Sequence, residues 1–332
     1  MTATQATPSQ SSSIDVPEAK RTWLRRWGPR ILAGAVYAGL AVMLVLAARG
    51  FDWNEVGEAL LDIPLGNISL AAALSLSCYV LYAGYELMAA RHLGLKVGTA
   101  QVALIGFASY ACNLSLGATF GAVGLRLRLY SARGVDAGRS MAVVAFNMLT
   151  NWSGYLLVMG VAMLVAWSPV PASWPIDGLP MRFVGAGLLA LLVVHLLLCK
   201  FRSGRIWRVR KLTLELPSLR LALAQLAVSA PAWLLGSASL AVLMPDTGFD
   251  LVLIALLASA VAGLVVRIPA GLGVLEATVL AALGPSAGHG KVLAALLAYR
   301  CIHYALPLAL GLVATLALEI HGRVVKRTHA AA

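Results

Sequence analysis

Residues 251–276 read LVLIALLASAVAGLVVRIPAGLGVLE, and this stretch decides the fold of the chain. A long apolar run ends at Arg267, and a second apolar run begins after Gly273. Between them Pro269 removes a backbone N–H, and the two glycines that follow favour irregular backbone. A membrane-spanning helix needs about 20 continuous apolar residues. The stretch therefore predicts a membrane helix broken into two short arms over residues 251–284.

The composition of the whole chain supports a membrane location. Of 332 residues, 60% are apolar and only 12% are charged, and the mean hydropathy is +0.83. Soluble domains have about 45–50% apolar and about 25% charged residues, because charged side chains keep their surface hydrated. The excess apolar surface must face lipid. At about 20 residues per span, the length accommodates roughly six to nine membrane segments.

Basic residues at the ends of the apolar runs orient the predicted spans, since cytoplasmic loops are enriched in Lys and Arg. The net charge of +12 is distributed in this way, with 21 of the 26 Lys and Arg in segments that we assign to the cytoplasm. These segments are 20–30, 91–96, 126–139, 200–220 and 323–327. Six full spans are predicted at 31–48, 68–90, 140–166, 183–199, 221–244 and 291–318, and the acidic segment 49–67 is predicted to be an external loop.

A second broken segment lies between the basic segments 91–96 and 126–139. Residues 100–116 are apolar and residues 117–125 are rich in glycine. About 26 residues cannot cross a hydrocarbon layer of about 30 Å twice as helices, so the segment predicts a re-entrant hairpin. It enters from the side opposite to the 251–284 hairpin, a pattern typical of inverted repeats in transporters. Two ordinary short spans packed through glycine are the alternative. The predicted helix breaks are Gly117, Gly121, Gly124, Pro269, Gly271 and Gly273.

The domain organisation follows from the same pattern. Residues 1–19 are polar and rich in Ser, Thr, Gln and Pro, so they predict a disordered cytoplasmic tail. Residues 20–325 form a single integral membrane domain in this interpretation, and residues 326–332 form a cytoplasmic C-terminal tail. The predicted fold class is all-α, a polytopic helix bundle of about six full spans plus two re-entrant hairpins.

Ionisable residues inside the predicted membrane segments point to a polar cavity. Each charge there costs roughly 2.5–3.5 kcal/mol on insertion scales and needs an explanation. Arginine suits phosphate because its planar guanidinium offers two parallel hydrogen bonds. The alternative is that Glu276 and Glu86 pair with Arg300, Arg267 or Arg128 only to hold the bundle together. The predicted substrate-binding set is Glu86, Asn113, Arg126, Arg128, Asn151, Arg267, Glu276, Arg300 and His303.

Several classes of function lack their sequence signatures. The chain has no P-loop lysine motif, no HExxH, no GxSxG with a plausible triad and no acidic metal-binding loop. The four cysteines are scattered without metal-ligand spacing. Basic residues are not interleaved with the aromatic residues that single-stranded nucleic acid requires. We therefore expect no enzymatic activity, no cofactor, no metal and no nucleic-acid partner.

Several stretches carry a resemblance to a known family: Ser109–Gly117, Gly124–Ser131, Thr150–Tyr155, Ile268–Glu276 and Ala295–Arg300. The chain resembles the YbhN inner-membrane family, which is related to the membrane region of lysylphosphatidylglycerol synthase/flippase proteins. The resemblance covers about residues 20–325, and its most specific element is the Pro-x-Gly-x-Gly-x-x-Glu run that ends at Glu276. It implies a polytopic bundle with two re-entrant elements that moves anionic or aminoacylated phospholipid between leaflets. The positions that match are Arg126, Arg128, the Pro269–Gly273 break, Glu276 and Arg300.

The synthases also carry a soluble domain that adds lysine to the lipid, and because residues 1–332 contain no such domain, we do not expect that activity here.

The sequence thus predicts a flippase-like lipid transporter of the bacterial inner membrane, with both termini in the cytoplasm. Its expected partner is a membrane phospholipid with an anionic headgroup. Two alternatives stay open, an ion-coupled transporter of small solutes and a non-transporting membrane partner of an envelope-biogenesis enzyme. The sequence also leaves homo-oligomerisation and an envelope-protein partner open.

Overall fold

The computed structural model describes residues 52–117, 119–166, 168–171, 174, 178–202, 204, 206–209, 212–266 and 271–331. For residues 119–120, 206–209, 212–215 and 321–331 it describes the backbone only. The predicted N-terminal tail and the predicted span 31–48 lie outside the described residues.

Almost all of the described chain is helical. The α-helices are α1 (Trp53–Leu61), α2 (Leu65–His92), α3 (Thr99–Leu116), α4 (Arg126–Ser131), α5 (Ala137–Val165), α6 (Gly178–Phe201), α7 (Leu219–Ala241), α8 (Phe249–Val266), α9 (Val274–Ala287), α10 (His289–Tyr299) and α11 (Leu306–Ala331). Two π-helical stretches complete it, π1 (Thr119–Leu125) and π2 (Arg300–Ala305).

Seven helical segments in the described ranges are long and apolar enough to cross a membrane. They comprise α2, α3, α5, α6, α7, α8 and the continuous helix that runs through α10, π2 and the first part of α11. Five of them coincide with predicted full spans, and α3 and α8 are the first arms of the two predicted hairpins. The structure therefore confirms the prediction of a polytopic membrane helix bundle.

The helix is interrupted at Gly117, one of the three positions predicted to break it in the first hairpin, whereas Gly121 and Gly124 lie inside the helical stretch π1. Helix α3 ends at Gly117 with a φ of +91°, a conformation that is accessible to glycine and unfavourable for other residues. The chain returns as the seven-residue π1 and the six-residue α4, which together rise only about 20 Å. The return is close-packed, because a Cβ on Gly121 would collide with the backbone of Asn113. The returning arm is thus too short to cross the bilayer by itself.

The second predicted break lies between α8 and α9. Helix α8 ends at Val266 and α9 begins at Val274, while residues 267–270 lie outside the described ranges. With 14 residues, α9 is about 21 Å long, again shorter than the hydrocarbon layer. The break is therefore confirmed, and the opposite orientation of the two hairpins stays a prediction.

Two elements differ from the sequence interpretation. The segment predicted to be an external loop contains the nine-residue α1, which packs against α10 so closely that a Cβ on Gly290 would collide with Glu55. The basic loop after α6 contains a small antiparallel ribbon of two strands, β1 (Ile206–Val209) and β2 (Leu212–Glu215). Both are too short to give a clear periodicity, which is why the sequence did not reveal them.

Tyrosines fill the core between α2 and α3. Tyr79, Tyr82 and Tyr85 follow one side of α2, and all three are buried. The ring of Tyr82 stacks on that of Tyr110 in α3 at a centroid distance of 4.3 Å, nearly parallel. This rigid aromatic packing fixes α3 against α2 and so positions the first hairpin.

Candidate functional site

A closed ion pair joins Glu86 of α2 to Arg126 at the start of α4. The Arg126 Nε–H donates to both carboxylate oxygens of Glu86, at 3.1 and 3.0 Å. Tyr130 Oη donates to Oε1 at 3.0 Å, and Asn147 Nδ2 donates to Oε2 at 2.6 Å. The side chains of Glu86 and Arg126 are only 0% and 3% exposed. The carboxylate thus accepts hydrogen bonds from three residues and is accessible to neither solvent nor lipid.

The neighbours of this pair explain how it becomes buried. A Cβ on Gly106 would lie 2.6 Å from the Glu86 Cβ, so only glycine lets α3 approach α2 this closely. The guanidinium of Arg126 lies 5.2 Å from the centroid of the Tyr110 ring, within the range of a cation–π interaction. Arg126 Nη1 also donates to the Ala122 carbonyl of π1 at 3.0 Å.

A second, more open ion pair joins Glu276 of α9 to Arg300 at the start of π2. The Arg300 Nε–H donates to Glu276 Oε1 at 2.7 Å, and Nη2 donates to Oε2 at 3.2 Å. Nη2 also donates to the carbonyl of Gly271 at 3.1 Å. The two side chains remain 21% and 16% exposed. This pair is therefore reachable from outside the bundle, unlike the Glu86–Arg126 pair.

The start of α9 holds Glu276 in place for this contact. Gly271 and Gly273 have φ values of +55° and +78°, which glycine adopts without strain. Gly273 is the N-cap residue, and its N–H donates to Glu276 Oε2 at 2.9 Å. A carboxylate at this position also complements the positive end of the helix dipole. The part of the Pro-x-Gly-x-Gly-x-x-Glu run from Gly271 to Glu276 is thus a helix start that fixes one member of the ion pair.

Both arginines adjoin π-helical backbone. Arg126 directly follows π1, and Arg300 is the first residue of π2. A π-helical turn shifts the side-chain register of the helix and is frequent at functional sites. Each ion pair thus joins an arginine next to π-helical backbone to a glutamate on a different helix.

Two further predicted residues, His303 and Arg128, have separate surroundings. His303 is buried, and its Nδ1 lies 2.9 Å from Ser75 Oγ, while its carbonyl accepts from Tyr79 Oη at 2.9 Å. Arg128 pairs with Glu319 of α11 at 2.6 Å, and its side chain is 68% exposed. Arg128 is therefore a surface residue that links the first hairpin to the last helix.

The two predicted asparagines contribute backbone contacts in the structure. The Asn113 carbonyl accepts from Gly117 N at 2.9 Å, and the Asn151 carbonyl accepts from Trp233 Nε1 at 3.0 Å. Arg267 and Pro269 lie outside the described residues. The predicted set thus divides into the Glu86–Arg126 pair, the Glu276–Arg300 pair and residues that join neither.

Sequence reasoning missed several members of these networks. It did not assign Arg126 as the partner of Glu86, and it omitted Tyr130 and Asn147, which complete the shell of that carboxylate. One signal was available, because Tyr130 follows Arg126 by four residues and so lies on the same helix face. Asn147 comes from α5, a separate helix, so its contact depends on tertiary packing that the sequence pattern does not encode.

The fold and these two sites define a class of protein: a multi-pass helical membrane protein with two interrupted helices and two ion pairs between helices, one closed and one partly exposed. Residues 30–311 match the family described as the lysylphosphatidylglycerol synthase TM region. The chain belongs to this family.

Two relatives are similar over most of the chain. The "Inner membrane protein YbhN" of Escherichia coli (strain K12) is 35% identical over 311 residues, which cover 92% of this chain and 98% of the relative. The "Uncharacterized protein slr0712" of Synechocystis sp. is 32% identical over 292 residues, which cover 84% of this chain and 89% of the relative. The resemblance to the YbhN family stated from the sequence is therefore confirmed.

Proposed function

We propose that this protein moves a phospholipid with an anionic or aminoacylated headgroup between the leaflets of the bacterial inner membrane, and that it catalyses no covalent reaction. Both termini face the cytoplasm in this proposal, because the basic residues concentrate in the segments that flank them. The observation that carries the proposal is the partly exposed Glu276–Arg300 pair at a helix break. Irregular backbone at membrane depth is tolerated where it is buried in protein or lines a wet cavity.

The chemistry of this pair suits a phospholipid headgroup. A phosphate competes with Glu276 for the guanidinium of Arg300, since both anions accept two parallel hydrogen bonds from it. An ammonium on the headgroup replaces Arg300 as the partner of Glu276. Arg300 thus binds the phosphate and Glu276 binds the ammonium of an aminoacylated or zwitterionic headgroup. Without a headgroup the two side chains pair with each other, so neither charge is left uncompensated.

The surroundings of the pair favour a lipid over a water-soluble solute. Leu272, which lies between the two glycines of the break, is 50% exposed. Its neighbour Gly271 accepts a hydrogen bond from Arg300 Nη2, so Leu272 lies beside the pair. An exposed apolar side chain beside an accessible ion pair suits a molecule that has a charged head and apolar chains. The headgroup would enter the site while its acyl chains stay in the bilayer.

The family description gives independent support for the lipid. It names the membrane region of a protein that handles lysylphosphatidylglycerol, an aminoacylated phospholipid. Among the described residues, the partly exposed ion pair that offers both charges to such a headgroup beside a helix break is Glu276–Arg300. The proposal therefore assigns the headgroup to that pair.

Leaflet exchange of a labelled anionic phospholipid, in vesicles that contain the purified protein, tests the proposal. A Glu276→Gln, Arg300→Ala double variant removes the pair, and Arg139→Ala serves as a matched control that removes an exposed ion pair with Asp136. We expect faster exchange with wild type and with the control than in empty vesicles, and no acceleration with the double variant. An aminoacylated and a zwitterionic lipid tested in parallel define the headgroup preference. Exchange that matches empty vesicles for wild type with all three lipids would contradict the proposal.

A further inference from the structure

Several buried polar atoms of α2, α3, α4 and α5 have no hydrogen-bond partner among the described residues. Arg126 Nη2 lies 3.0 Å from a carboxylate oxygen of Glu86 but does not form a hydrogen bond with it. Asn147 uses its amide nitrogen on Glu86 and leaves its Oδ1 unpaired. The hydroxyls of Tyr85 and Ser109 are also unpaired. These unpaired atoms are a mixture of hydrogen-bond donors and acceptors.

The same pattern continues along the interface of α5 and α7. Thr150 follows Asn147 by one helical turn, and its Oγ1 accepts from Gln225 Nε2 at 2.7 Å. Gln225 Oε1 has no partner in the described part of the chain. One turn further along α7, Ser229 Oγ is likewise unpaired and packs against Gly154. From Asn147 to Gly154 this polar seam extends about 10 Å along α5.

A buried polar atom without a partner is destabilising, so native interiors leave very few of them. The atoms described here are fully enclosed, and lipid cannot supply hydrogen bonds. A small bound ligand must therefore satisfy them. Its charge is restricted by the site itself, because a cation would meet Arg126 and an anion would meet Glu86 at close range.

Water meets these requirements. It donates to Asn147 Oδ1 and Gln225 Oε1 and accepts from Arg126 Nη2, and buried waters commonly make about two to four such contacts. We propose that the Glu86–Arg126 pair carries an internal water site that reaches the unpaired hydroxyl of Tyr85, and that its waters continue along the seam from Asn147 to Ser229. The waters hydrate a buried charge pair and lower the cost of keeping both groups ionised there. This site is separate from Glu276 and Arg300 and does not depend on lipid movement.

Radiolytic hydroxyl-radical footprinting of the protein in lipid nanodiscs tests this proposal, because radicals formed from a bound water oxidise the side chains beside it. Two fully buried tyrosines of α2 provide a matched comparison. The hydroxyl of Tyr85 is unpaired, whereas that of Tyr79 donates to the His303 carbonyl at 2.9 Å. We expect Tyr85 to be oxidised several-fold faster than Tyr79. Equal, slow oxidation of both tyrosines would show a dry interior and overturn the proposal.

An Asn147→Leu, Gln225→Leu variant tests the seam. It removes two acceptors and fills their space with apolar atoms, so oxidation of Tyr85 should fall toward the rate of Tyr79. Fast oxidation of Tyr85 in a variant whose Tyr79 remains protected would overturn the assignment of the waters to the seam. If the variant unfolds, Tyr79 becomes oxidised as well, and the wild-type comparison alone then decides the proposal.

Discussion

Replacing Arg126 with alanine should be the most destabilising change of a single charge in the first hairpin. Glu86 is 0% exposed and receives two of its four hydrogen bonds from Arg126, so the variant leaves a buried carboxylate with only two neutral donors. Removing one partner of a buried ion pair costs about 3–5 kcal/mol. The expected loss lowers the folding equilibrium constant by about two to three and a half powers of ten.

Arg128 is a control of the same residue type on the same short helix. Its side chain is 68% exposed, and it pairs at 2.6 Å with Glu319. Exposed ion pairs contribute only about 0–1 kcal/mol, because water already solvates both charges. Arg128→Ala should therefore change the free energy of unfolding much less than Arg126→Ala, although the sequence presents the two arginines almost identically.

Unfolding by a denaturing detergent in lipid–detergent micelles, followed by tryptophan fluorescence, measures both changes. A Glu86→Leu, Arg126→Leu double variant separates an unpaired charge from lost packing. The double variant should recover much of the stability that Arg126→Ala loses, because apolar replacements of a buried pair are often tolerated. Equal losses for Arg126→Ala and Arg128→Ala, or a double variant that is less stable than Arg126→Ala, would refute this reasoning.

Three further predictions concern single positions. Gly106→Ala should lower the free energy of unfolding by about 1–3 kcal/mol in the same assay, since its Cβ would meet Glu86, whereas Gly66→Ala, with open space around it, should not. Gly273→Ala should cost about 1–2 kcal/mol because of its φ of +78°, and Gly263→Ala, which has no positive φ, should be tolerated. Asp136 is the N-cap of α5, and its hydrogen bond from the backbone N–H of Arg139 lowers the pKa of its carboxyl group. The ionised cap therefore stabilises the helix fully at pH values above the ordinary Asp pKa. This stabilisation is lost as the pH falls through the lowered pKa. Hydrogen exchange in the first turn of α5 should therefore rise only at acidic pH, and Asp136→Asn should abolish that pH dependence.

The overall architecture was predictable because it depends on local sequence. Apolar run length fixes the spans, and Gly117 and Gly273 mark the two breaks through the positive φ that the backbone needs there. The contact between Glu276 and Arg300 was among the pairings considered from the sequence. Glu276 is fixed by its own helix start, three residues after the N-cap, which is a local pattern.

The closed ion pair could not be predicted in the same way. Glu86, Arg126 and Asn147 lie on three different helices, and their contact requires the close approach that Gly106 permits. The two arginines of the first hairpin also look alike in sequence, yet one is buried and the other exposed. Residues two apart on α4 point to opposite sides of the helix, so one can be buried while the other is exposed. Which of the two faces inward depends on the register that follows the π stretch before Arg126, and helical periodicity does not anticipate that register.

In the proposed function, the open Glu276–Arg300 pair serves transport, whereas the closed Glu86–Arg126 pair stabilises the fold. The most direct test is the rate of leaflet exchange per folded molecule for Glu276→Gln, measured beside Glu86→Gln. Glutamine retains an acceptor for the Gly273 N–H, so Glu276→Gln removes the charge with little effect on the start of α9. We predict that Glu276→Gln reduces exchange per folded molecule and preserves stability, whereas Glu86→Gln reduces stability more than exchange. Exchange at the wild-type rate by Glu276→Gln would contradict the proposed function.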